Sequence, residues 1–132
     1  MKTTLRLSFL SLAISALLIG CGKQNAIIDA HNEMARIEKD TINGINSIQD
    51  ANSQAEYLRQ GINRMKKVDL TGCPEDYRDA FHELIDVWKN CKSALEAGNI
   101  PAADQFLSQS PIKAAKLNRI AEKHGVVITG GL

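Results

Sequence analysis

Six residues constrain this chain more than any others: Tyr77, Phe81, Leu84, Trp88, Cys91 and Leu95 recur at intervals of four, three, four, three and four. A helix completes a turn in about 3.6 residues, so this alternation sets all six on one face. The face carries three of the five aromatic residues that follow position 20. An apolar stripe of that length must be covered by another element, which places the centre of a helical core here. Pro74 suits a first helical turn, and Glu75, Asp76 and Asp79 bring negative charge to the positive end of the helix dipole. Gly98 sits where a glycine commonly follows a helix C-terminus.

The flanking segments read as helices too. Ile27, Met34, Ile37, Ile45, Ile48, Ala51, Ala55, Leu58, Ile62 and Met65 recur mostly at three and four, with charged and amide residues between them. Asn43-Gly44 weakens that pattern, since glycine costs about 1 kcal/mol against alanine inside a helix. The spacing predicts one kinked, continuous helix over 26–67, followed by a break at 68–74. Pro101 to Leu107 reads as a short helical turn, and Ser110-Pro111 as the N-cap and first-turn proline of a last helix over 111–123. That helix offers Ile112, Ala115, Leu117 and Ile120 to the core. Val126-Val127-Ile128 is short and β-branched, and without a partner strand it is expected to pack on the bundle as an extended tail. The expected fold is all-α: a small antiparallel three-helix bundle with a long first helix and a short extra helical turn before the last. The first helix would then outrun its partners, leaving Ile27, Met34 and Ile37 to pair with another subunit, to fold back at Gly44, or to serve as a spacer.

Ahead of these helices lie Lys2 and Arg6, an apolar run from Leu7 to Ile19, and Leu18-Ile19-Gly20-Cys21. A basic start, an apolar core of about 7–15 residues and a small residue at the cut describe a secretory signal, and the run falls short of the roughly 20 apolar residues that span a bilayer. The stretch resembles a bacterial lipoprotein signal peptide closing on its lipobox. The resemblance implies cleavage before Cys21, acylation of that residue, and membrane attachment without a spanning segment. It divides the chain into a signal peptide (1–20), a polar tether (21–25) and a helical domain (26–132). Gly22 stands where an aspartate would resemble an inner-membrane retention signal, so the expected location is the outer membrane, facing the periplasm.

Charge and motifs narrow the function by exclusion. Of 16 basic and 15 acidic residues, Lys2 and Arg6 fall in the leader, leaving a nearly neutral domain. Nucleic-acid binding would need a basic face, and Arg64, Lys66 and Lys67 read instead as cations closing a helix. Cys73 and Cys91 are 18 positions apart, about 27 Å along one helix, whereas a disulfide needs Cα atoms within about 7 Å. Both are expected as free thiols, Cys91 in the packing and Cys73 near a helix start. His31 and Met34 share a helix face but lack the further ligands a copper site requires. His82 sits among Arg78, Asp79 and Asp86 on a solvated face, and His124 in a last helical turn. The haem-attachment signal Cys-x-x-Cys-His is absent, as are Cys-x-x-Cys and Gly-x-Ser-x-Gly. No cofactor, metal or catalytic residue is therefore assigned.

Cys73-Pro74-Glu75-Asp76-Tyr77, followed by Ala80-Phe81 and Trp88, resembles a Cys-Pro-x-Asp-aromatic motif of small exported bacterial proteins. That resemblance spans the C-terminal half and implies no activity. The functional expectation is a non-enzymatic, lipid-anchored module that binds a protein partner or maintains the envelope. The alternatives are a small ligand or metal carrier, and a lipoprotein of the immunity or exclusion kind.

Overall fold

The computed structural model describes the backbone over residues 2–128 and the side chains over residues 22–128. It contains α1 (Lys2–Asn46), α2 (Ala51–Lys66), α3 (Glu75–Glu96) and α4 (Ile100–Lys123), with no strand among the described residues. The expected signal peptide and the expected acylation at Cys21 fall on residues outside the described side chains.

Side-chain pairings give the topology. Asp40, Thr41 and Gly44 of α1 meet Arg64, Gly61 and Tyr57 of α2 in reversed order, so these helices are antiparallel. Asp76, Glu83 and Trp88 of α3 meet His124, Lys116 and Ser110 of α4, again in reversed order. Gln24 and Glu38 of α1 reach His124 and Ser110 of α4, which closes the ring. The domain is an up-down-up-down arrangement of four helices, where the sequence had predicted three.

The difference arises in two places. First, the predicted helix over 26–67 breaks at residues 47–50, beyond the expected kink at Gly44. Asp50 is an N-cap: its carboxylate accepts hydrogen bonds from the Ser53 backbone N–H and hydroxyl, both at 2.8 Å. Gln54 Nε2 donates to the carbonyls of Ile45 (3.3 Å) and Ile48 (2.7 Å), satisfying groups that the end of α1 leaves open. The reversal removes the predicted overhang. Ile27, Met34 and Ile37 are buried within the bundle, so this stretch is neither a spacer nor a seam between subunits.

Second, the short turn and the last helix are one continuous helix, with Pro111 in its interior. Ser110 is a buried core residue of α4 and caps nothing. The residues facing the core are Ala103, Ser110, Leu117 and Ala121, a phase that a polar residue disguises in the sequence. Ile112, expected inside, is 64% exposed, while Ala115 and Ile120 are only half-buried. Residues 22–25, expected as a polar tether, are helical and belong to α1.

The predicted stripe on α3 is buried along its whole length, with Tyr77, Phe81 and Leu84 completely inaccessible. Ala80, Ile85, Val87 and Ala94 widen it into a broad face that packs against both α2 and α4. α2 is the short member at 16 residues. The connection after it makes up the length: Val68 and Leu70 pack on the core, Cys73 is buried, and Gly72 lies beside Ala26 of α1 with φ of 81°. The tail beyond Gly125 packs through Val126 and Ile128, leaving Val127 80% exposed.

Candidate functional site

Three polar features stand out against this apolar interior. The first lies at mid-height and joins three helices. Trp88 Nε1 of α3 donates to Ser110 Oγ of α4 at 3.0 Å, and Ser110 Oγ donates to Glu38 Oε1 of α1 at 3.3 Å. A hydroxyl can accept one bond while donating another, so Ser110 passes the direction of the chain from indole to carboxylate. Burial pushes the Glu38 carboxyl above its ordinary range, and the Ser110 hydrogen bond opposes part of that shift. The same contacts hold the Ser110-Pro111 step inside a helix, although proline supplies no N–H there and disfavours helical geometry in the residue before it.

The second feature lies at the end of the bundle where α3 begins and α4 ends. His31 Nδ1 and the Tyr77 hydroxyl are 3.2 Å apart, both buried. Desolvation lowers the His31 pKa and raises that of Tyr77, so both are neutral near pH 7. The arrangement that satisfies both has the Tyr77 O–H donating to a bare Nδ1. Nearby, His124 Nε2 meets both carboxylate oxygens of Asp76, at 2.9 and 3.1 Å, and Lys123 Nζ donates to Asp76 Oδ2 at 3.1 Å. Partial burial pushes the Asp76 carboxyl up, but the bonds from His124 and Lys123 outweigh it and leave the group below its ordinary value. Asp76 also accepts the Tyr77 backbone N–H at 2.9 Å, so one carboxylate ties the start of α3 to the end of α4.

The third is a groove between α2 and α3. Met65, Val68, Leu70, Phe81 and Ile85 line one stretch of it together with His82, Asp86, Lys66 and Lys89. Further along, Arg59, Ile62, Lys66, Lys89 and Lys92 continue the same channel. Its floor is apolar and its rim largely cationic.

The residues singled out from sequence are therefore dispersed. His31 turns to Tyr77, and Met34 belongs to the core. His82 lies exposed in the α2–α3 groove, and His124 is bound to Asp76. Among the described residues, no three His, Cys, Asp or Glu side chains converge as metal ligands. Cys73 and Cys91 are free and buried. Burial raises both thiols, with Asp69 adding to the effect at Cys73 and Asp104 at Cys91, which is pushed up to about 11. Glu38 and Ser110, the centre of the interior polar chain, carry no sequence signal, because their partnership crosses 72 positions.

Among the described residues, fold and side chains define an all-helical, up-and-down arrangement of four helices around a core of apolar side chains. No protein-family model, curated protein or solved structure matches the chain.

Proposed function

We propose that the chain is an exported lipoprotein, acylated on Cys21, whose helical bundle acts as a non-enzymatic protein-binding or envelope-associated module at the periplasmic face of the outer membrane. The observation that carries this reading is the leader: two basic residues, a short apolar run and Leu18-Ile19-Gly20 immediately before Cys21. Two acyl chains would anchor it firmly, since each buried CH₂ contributes about 0.8 kcal/mol and one chain alone binds only reversibly. Among the described residues no helix is long and apolar enough to cross a membrane.

Binding and holding, rather than carrying a ligand inside, is favoured by what occupies the interior. Trp88, Tyr77, Phe81, Leu84 and Leu117 fill it from α3 and α4, and Ile27, Met34, Ile37, Leu58 and Met65 fill it from α1 and α2. The α2–α3 groove, with its apolar floor, is the surface most suited to a partner. The test is the full-length chain expressed in a Gram-negative host fed labelled palmitate. The wild type is expected to take up label and to sediment with outer membranes, while Cys21→Ser loses the label and leaves the membrane fraction. A Cys21→Ser protein that is processed and sediments like the wild type would overturn the assignment.

A further inference from the structure

We propose that the end of the bundle formed by Lys23, Lys123 and Val127 rests directly on the phospholipid headgroups, so that the helices stand on the membrane without a linker. The inference rests on the acylation of Cys21 and adds an orientation to it. Gln24 is locked to that end: its Nε2 donates to the His124 carbonyl at 3.4 Å, and a Cβ on Gly125 would approach the same nitrogen to 2.6 Å. Gly125 has φ of 83°, so a side chain there would be strained as well as crowded.

The lock lies three positions after the anchor. Fully extended, three residues span at most about 11 Å, and as helix about 4.5 Å. The headgroup layer itself occupies roughly 5–7 Å on each side of the hydrocarbon. Residues 22–24 belong to helix α1, so the shorter value applies, and an acyl-bearing sulfur at the hydrocarbon boundary leaves no water gap between the bilayer and the end of the bundle. The groups presented there suit an interface. Val127 is 80% exposed and the Lys123 side chain 70% exposed, with Lys23 also exposed. Lysine stems lie along apolar surface while their ammonium groups reach phosphate oxygens. Glu75, Asp76 and Glu122 belong to the same end, and Asp76 is already engaged by Lys123 and His124. This mixed charge fits a zwitterionic bilayer and gives no reason for a preference for anionic lipid.

The test uses the full-length acylated protein in phosphatidylcholine vesicles containing a lipid nitroxide at headgroup level. Val127→Cys and Lys23→Cys carry a fluorophore at the proposed contact, and Asn99→Cys carries it at the opposite end. The native thiols Cys73 and Cys91 are buried and stay unlabelled in the folded protein. Quenching several-fold stronger at positions 127 and 23 than at 99 is expected, and unchanged when anionic lipid is added. Equal, weak quenching at all three positions in a protein whose mass shows acylation would overturn the orientation alone. An unmodified Cys21 in the mass spectrum would remove the anchor, and this inference with it.

Discussion

The two hairpins of the bundle are held by different means. Between α3 and α4 the contacts are large and specific. Trp88 bonds Ser110, the Cys91 thiol donates to the Ala103 carbonyl at 3.5 Å, Glu83 takes both Lys113 and Lys116, and Asp76 takes His124 and Lys123. Between α1 and α2 the contacts are small and close. A Cβ on Gly44 would fall on the Tyr57 ring, and one on Gly61 would come within 2.5 Å of Thr41 Oγ1. One pair of helices is joined by several buried or clustered polar side-chain bonds; the other, beside the exposed Asp40–Arg64 pair and the Gln54 bonds near the end of α1, depends on the close approach that two glycines permit. Loss of a large side chain should therefore be felt most in the first hairpin, and gain of a methyl in the second.

The largest effect is expected from Trp88→Ala. Removing a buried tryptophan typically costs about 3–5 kcal/mol, and here Ser110 also loses the donor that fixes it. Urea denaturation followed by circular dichroism should show an unfolding free energy lowered by that amount. A loss under about 1 kcal/mol would mean that the α3–α4 seam is not the stronger one. A sharper comparison comes from the two glycines. Thr41 is short and only 1% exposed, so Gly61→Ala has no room to relax and is expected to destabilise by about 1–3 kcal/mol. Tyr57 is 36% exposed and its ring can swing toward water. Gly44→Ala should therefore come out near neutral, as the roughly 1 kcal/mol gain in helix propensity offsets the displaced ring. Equal losses in the two variants would show that Gly44 is as tightly gripped as Gly61.

The smallest effect concerns Glu38, where the two hairpins meet. Its carboxyl is raised in the folded protein by burial. The folded state therefore binds its proton more tightly than the unfolded chain does. The stabilisation from this group is complete below the ordinary carboxylate range and is lost as pH rises through the elevated folded value. Glu38→Gln should flatten stability over that interval and leave the protein slightly more stable at pH 7. A denaturation series from pH 4 to pH 8 checks this, and a variant that is less stable at pH 7 would contradict the sign.

What could be read from sequence follows the same division. The α3 stripe was legible because every member is large, apolar and separated from the next by one turn. The reversal into α2 was not, because its signal is a cap: Asp50 bonds the backbone of Ser53, and a short acid before a serine resembles any solvated face. Gly44 drew the kink to a point three residues before the break begins, since its lack of a side chain admits Tyr57 and does not end a helix. At Ser110-Pro111 local preference pointed to a helix start, and tertiary contacts with Trp88 and Glu38 overrode it. Long-range polar partnerships of that kind have no period to detect.

The concealed sulfurs of Cys73 and Cys91 carry a consequence for how the protein behaves under oxidising conditions. While folded, both are shielded and poorly ionised, so oxidants find little thiolate to attack. Each excursion to the open chain would uncover both at once, and a cross-link made then would join residues that the native helix α3 and its approach hold apart. The folded state thus guards its own chemistry, and refolding after denaturation should proceed cleanly with a reductant present and accumulate trapped species without one.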